Sequence, residues 1–119
     1  MKVYIAGALS TLATKKDSRT PSKVVTDYIQ NVSAMCLVAG VVRQLRHHPY
    51  VPALDLLLGA VAGDWEEEDY RGIGIEFLKV CDAVLVISDS LGVQRELEVA
   101  RRLHLPIYYN VKDLPDAAE

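Results

Sequence analysis

The chain has 119 residues, half of them hydrophobic, a length in the usual range of one domain with enough apolar surface for a real core. Its 16 acidic against 13 basic side chains leave a formal charge of −3, which argues against the basic surface that nucleic-acid polymers require. Unbroken apolar runs fall short of the roughly 18 to 20 residues of a bilayer span, and the opening lacks a signal-peptide pattern, so a cytoplasmic protein with no membrane partner is expected.

Lys2 to Ala6 (KVYIA) reads as a buried first strand ended by Gly7. Ser10 to Thr20 is polar and rich in Ser and Thr, which predicts a loop; its Lys15, Lys16 and Arg19 read first as solvated charges. Thr20-Pro21 is a cap followed by proline at the first helical position, and Val25, Tyr28, Ile29, Val32, Cys36, Ala39 and Val42 recur at helical spacing. A long helix is expected to about Leu45. Tyr50-Val51-Pro52 suits a short second strand, and Leu54 to Val61 an apolar helical or irregular segment, either core or a dimer contact.

Trp65 to Lys79 begins acidic and ends basic, as a helix complementing its own dipole does, although Gly72 and Gly74 weaken its middle. Asp82 to Ile87 (DAVLVI) is the clearest strand, followed by a Ser88-Asp89-Ser90 turn. A helix from Gly92 to Leu103 turns Val93, Leu97 and Ala100 inward, Ile107 to Tyr109 forms a fourth strand, and Asp113 to Ala118 offers a terminal helical turn. The β-α-β-α-β-α-β alternation with right-handed crossovers predicts a single-domain α/β fold. Its form is a Rossmann-like or flavodoxin-like three-layer sandwich around a small parallel sheet of about four strands.

Several tempting residues have plain readings. Cys36 and Cys81 lack metal-ligand spacing and read as two buried, reduced thiols. His47-His48 sits where the long helix ends, favoured there by the dipole, with no third ligand for zinc; neither a metal nor a cofactor is expected. Glu66 to Asp69 reads as a solvated helix start, and Arg95, Glu98, Arg101 and Arg102 as paired charges on an outer face.

Glu96 is different. It lies in the first turns of a helix opened by Ser90-Leu91-Gly92, where the amides of Gly92 and Val93 favour an anion and Ser90 caps the helix or contacts that anion. The same field is expected to lower the pKa of Glu96 and keep it ionised, as a carboxylate nucleophile requires.

The stretch CDAVLVISDSLGVQRELEVARRLHLPIYY, with the opening KVYIAG, resembles the nucleoside 2-deoxyribosyltransferase-like superfamily. The tract SLGVQREL is similar to its deoxynucleoside 5′-monophosphate N-glycosidase branch. The resemblance runs from Lys2 to Tyr109 and implies that Glu96 is the nucleophile at the anomeric carbon, oriented by Tyr4 on the first strand. It further implies that Gly7 lets substrate approach the backbone and that Ser90 meets a 5′-phosphate. A nucleoside or nucleotide substrate and a homodimer or higher homo-oligomer are implied as well. Two positions depart from the family pattern. Gly74 stands where the family carries the aspartate that protonates the departing base, with Asp69, Glu76 and Asp89 as nearby unaligned candidates, and Ala8 replaces a serine after the first strand. The expected activity is cleavage of the N-glycosidic bond of (deoxy)nucleosides or their 5′-monophosphates, by hydrolysis or transfer. The alternatives are a nucleotide-binding or sensing module whose chemistry has lapsed, and an accessory protein in which Glu96 merely caps a helix.

Overall fold

Four parallel strands, Lys2–Ala6 (β1), His48–Tyr50 (β2), Ala83–Val86 (β3) and Ile107–Tyr108 (β4), form one sheet in the order β2-β1-β3-β4. The computed structural model describes residues 1–8 and 20–116. The loop reading for 10–19, with Lys15, Lys16 and Arg19, lies outside them. β1 is central because every one of its side chains after Lys2 is buried, and it pairs with β3 in register from Val3 opposite Ala83 to Ala6 opposite Val86. Asp82 anchors the start of this pairing: its amide donates to the Lys2 carbonyl at 2.7 Å and its carboxylate accepts from the Lys2 amide at 2.8 Å.

Alternate residues of the central strands feed two cores, as the period of a strand demands. Val3, Ile5 and Leu85 face the long helix Pro21–Gln44 (α1), which contributes Met35 and Val42. Tyr4, Ala6, Val84 and Val86 face Glu67–Leu78 (α3) and Leu91–Arg102 (α4), which contribute Leu78, Val93, Leu97 and Ala100. The expected α/β architecture, a small all-parallel sheet between helical layers, is therefore present.

α1 starts where the cap residues place it, with the Lys23 amide donating to Thr20 Oγ1 at 3.3 Å and proline at the first position. Its buried stripe, however, is centred on Met35 and Val42, and Val25, Ile29 and Cys36 are exposed. The helix is apolar nearly all round, so spacing alone does not choose a face; the sheet chooses it. This corrects the reading of Cys36 as a buried thiol, while Cys81 is buried. Val25–Gln44 is long and apolar enough to cross a membrane by length and composition, and only 11% of that window is buried. Met35 and Val42 nevertheless commit the helix to the sheet in this fold.

The second strand lies two residues earlier than expected. It runs through His48 and Pro49, which an edge strand tolerates, and Pro52 instead opens a 3-10 turn, Pro52–Leu54, that leads into Asp55–Ala62 (α2). Leu54, Leu57, Leu58 and Val61 on this segment are exposed, so they are not core. The terminal turn is likewise earlier, a 3-10 turn at Val111–Asp113 whose following Leu114 is buried against α1. His47 ties both ends of the chain together: Nδ1 accepts from the Met1 amino group at 3.0 Å and Nε2 donates to the Pro115 carbonyl at 2.6 Å.

Two neighbouring residues of α1 thus have opposite surroundings. Met35→Ala is expected to cost about 2–5 kcal/mol in urea denaturation and Cys36→Ser less than about 0.5. A thiol reagent under native conditions is expected to label Cys36 and spare Cys81; equal labelling of both would contradict this packing.

Candidate active site

In an open parallel sheet, ligands bind at the carboxyl ends of strands where the order reverses, because the loops there diverge and leave a crevice. With the order β2-β1-β3-β4 that point lies between β1 and β3. The strand ends are stitched across it by the Ile87 amide donating to the Ala6 carbonyl at 2.8 Å and the Ala8 amide donating to Ser88 Oγ at 2.7 Å. Ala8, where the resemblance expects a serine, thus contributes through its backbone, and Ser88 supplies a hydroxyl.

α4 begins at this crevice. Ser90 is its N-cap, and Ser90 Oγ accepts from the Val93 amide at 3.1 Å. That bond takes the amide offered to an anion in the sequence reading, and the Val93 side chain is core, so Val93 is a packing residue. The first-turn amides of Leu91 and Gly92 remain without an intrahelical partner. Gly92 has room beside it, with only Ser90 Oγ near a hypothetical Cβ, at 3.7 Å.

Glu96 stands one turn further on the same inward edge as Val93, Leu97 and Ala100, which points its side chain into the layer between α4 and the sheet. Tyr4 approaches it from β1, and the neighbouring phenol favours the carboxylate. The structure therefore brings the two residues together. Oε2 of Glu96 is buried and finds no hydrogen-bond partner in the protein. Desolvation outweighs the influence of the phenol and pushes the Glu96 pKa above the ordinary glutamate value. The expectation of a lowered pKa is thereby corrected: the helix field acts within a turn, whereas the carboxyl is largely withdrawn from water. The same burial, with Glu96 beside it, drives the Tyr4 phenol far above its usual range.

Tyr4 belongs to a row of aromatic rings that sequence spacing does not disclose. Tyr50 is its register partner on β2, with ring centroids 5.6 Å apart, and Phe77 of α3 stacks on Tyr50 at 4.7 Å. Tyr50 Oη donates to Asp55 Oδ2 at 2.6 Å, and burial together with that carboxylate raises its pKa strongly. Gly74 lies against the same place: a Cβ there would sit 3.1 Å from Tyr4 Oη. The position at which the resemblance expects an acid is therefore adjacent to Tyr4, and it is empty of side chain. Gly7 has a packing reason of its own, since a Cβ would come within 2.6 Å of Met35 Sδ.

The other candidate acids are engaged elsewhere. Asp69 Oδ2 accepts from the Glu66 amide at 2.7 Å as an α3 cap, Glu76 pairs with Lys79 at 2.9 Å, and Asp89 accepts from Gln94 Nε2 at 2.7 Å. Among the described residues no group of three or more His, Cys, Asp or Glu is placed to hold a metal ion. Compared with models of protein families and with curated proteins, the chain finds no significant match.

Two expectations follow. Gly72 and Gly74 share α3, but nothing crowds a Cβ at Gly72. Gly72→Ala should therefore stabilise by about 0.5–1 kcal/mol through helix propensity, whereas crowding of about 1–3 kcal/mol against Tyr4 cancels or reverses that gain in Gly74→Ala. For Glu96, a raised folded pKa means that the folded chain holds the proton more tightly than the unfolded one. The linked stability is complete below the ordinary glutamate pKa and is lost as pH rises through the folded pKa. Glu96→Gln should thus raise Tm at pH 7 to 8, with the gain shrinking as the pH is lowered; a gain that grows toward acid would refute the burial argument.

Proposed function

We propose that this protein cleaves the N-glycosidic bond of nucleosides or nucleotides, with Glu96 as the nucleophile. The observation that carries the reading is the Glu96 carboxyl, inward at the β1–β3 crevice, with Tyr4 beside it and Oε2 unpartnered. In this reading the carboxylate attacks C1′ of the sugar and displaces the base. Water or a second base then attacks the resulting glycosyl ester, with net retention of configuration. Tyr4 orients the carboxylate, and the open amides of Leu91 and Gly92 at the α4 start, with Ser90 beside them, suit a phosphate on the sugar. No cofactor is required by this chemistry.

The test is chromatographic detection of free base after incubation with a panel of nucleosides, deoxynucleosides and their 5′-monophosphates. Glu96→Ala is expected to lower base release by about 10³-fold or more. Tyr4→Phe removes a bond to a charged group and is expected to cost roughly 10- to 100-fold. Because the nucleophile must be ionised, kcat/KM should fall on the acid side at a pH above the ordinary glutamate range. Release unaffected by Glu96→Ala rejects the proposal. Tight nucleotide binding without turnover by the native protein selects the lapsed, sensing alternative instead.

Self-association through α1 and α2 belongs to the same reading. α1 carries no charged residue between Asp27 and Arg43, and it exposes Val25, Ile29, Leu37 and Val41. α2 and its lead-in expose Leu54, Leu57, Leu58 and Val61 nearby, joined to α1 by Tyr28 Oη donating to the Ala53 carbonyl at 3.4 Å. An uncharged patch can face its own copy across a two-fold axis without a charge clash. Light scattering should give a dimer or larger for the native chain and a monomer for Leu37→Glu with Leu57→Glu; a monomeric native chain would sink the idea.

A further inference from the structure

When the base of an N-glycoside departs, the electrons of the broken bond remain on its ring nitrogen. A neutral purine or pyrimidine needs a proton there, and a positioned general acid contributes typically 10²- to 10⁴-fold. Among the described residues around Glu96, none is placed to give that proton. Gly74 has no side chain, Tyr4 is turned to Glu96, Tyr50 spends its hydrogen on Asp55 at 2.6 Å, and Asp69, Glu76 and Asp89 are held in caps and surface pairs. Both phenols are held far above their ordinary range by burial, and burial also raises the Cys81 thiol, so neither kind of group is an acid near neutrality.

The site offers two other things. One is a carboxyl oxygen, Glu96 Oε2, that is buried and unpaired. The other is the row of Tyr4, Tyr50 and Phe77 rings, at 5.6 and 4.7 Å between successive centroids. A buried carboxylate oxygen without a donor is satisfied by a positive charge, and aromatic rings attract flat cations. A base that is already cationic also leaves without a proton.

We propose that the preferred substrates are N-glycosides whose base carries a positive charge on the glycosylated ring, foremost the N-alkylpyridinium glycosides of the nicotinamide type. The inference rests on the reading of Glu96 as nucleophile. In the first step a Glu96 carboxylate oxygen forms a bond to C1′ as the C1′–N bond breaks. The bonding pair stays on the ring nitrogen and cancels its charge, so a neutral pyridine departs and no proton moves. In the second step water adds at C1′, the C1′–O pair returns to Glu96 as carboxylate, and the proton released by the water goes to solvent. Until the bond breaks, the cationic ring beside Glu96 holds the carboxyl in its ionised form, offsetting the burial that opposes it.

The experiment measures free base from nicotinamide riboside, nicotinamide mononucleotide, nicotinamide adenine dinucleotide and N7-methylguanosine. Adenosine, deoxyadenosine, thymidine and their 5′-monophosphates form the neutral set, and each rate is corrected for uncatalysed loss. The expected result is release from the cationic set at least about 100-fold faster than from the neutral set, matching the typical contribution of a general acid, and abolished in Glu96→Ala. Neutral substrates cleaved as fast or faster would overturn the cation preference and leave the N-glycosidase reading standing. No base released from either set would reject both. A second measurement does not depend on turnover. Nicotinamide mononucleotide should raise the Tm of the native protein and of Tyr4→Phe, whereas its reduced, uncharged dihydro form should not; equal shifts by both forms would overturn the charge argument.

Discussion

The carboxyl of Glu96, taken out of water beside the Tyr4 phenol, is the constraint around which the rest of the site is arranged. It is an expensive group to bury, since a carboxylate loses its hydration and regains only part of it from one hydroxyl. The molecule meets that cost through placement. β1 lies in the middle of the sheet, so Tyr4 is rigid; α4 is capped by Ser90, so its first turns have a fixed direction. Between these two fixed elements a single carboxyl oxygen stays unsatisfied. Among the described residues the other buried polar groups are satisfied, as Asp82 and His47 are, so this oxygen marks a place where a donor or a positive charge on a substrate would fit.

Gly74 and the aromatic row follow from the same geometry. A side chain at position 74 would press on Tyr4 Oη, so the glycine keeps open the space in which Tyr4 and Glu96 meet. It also leaves no acid at the position where the resemblance expects one. Tyr50, held by Asp55 and stacked on Phe77, then walls the space with flat carbon surface in place of a proton donor. An unpaired carboxyl oxygen and aromatic rings beside it are the two features on which the proposed preference for a planar, positive base rests.

Much of the fold was legible because the strands are fully buried and therefore continuously apolar. KVYIA and AVLV stand out against the capped helices around them, and Thr20-Pro21 and Ser90 mark helix starts by backbone chemistry that acts locally. Where local signals conflict, the fold is not legible from them. Pro52 ends an extended run and equally well begins a helical turn, and the second choice won, moving β2 to His48–Tyr50. α1 has apolar residues on every side, so spacing alone predicts a core position for Cys36, from which the sheet excludes it.

The pairing of Tyr4 with Glu96 was available only through a resemblance of motifs, since 92 positions separate them. The sequence by itself determined where strands and helices form and that Glu96 follows a capped helix start, because propensities, caps and apolar runs act over a few residues. Only the tertiary structure decided that Glu96 is desolvated instead of field-stabilised, that Val93 is core, that Gly74 faces Tyr4, and that Tyr50 and Phe77 extend the ring row. Those facts depend on which faces of β1, β2, α3 and α4 meet, and burial is set by all four elements at once.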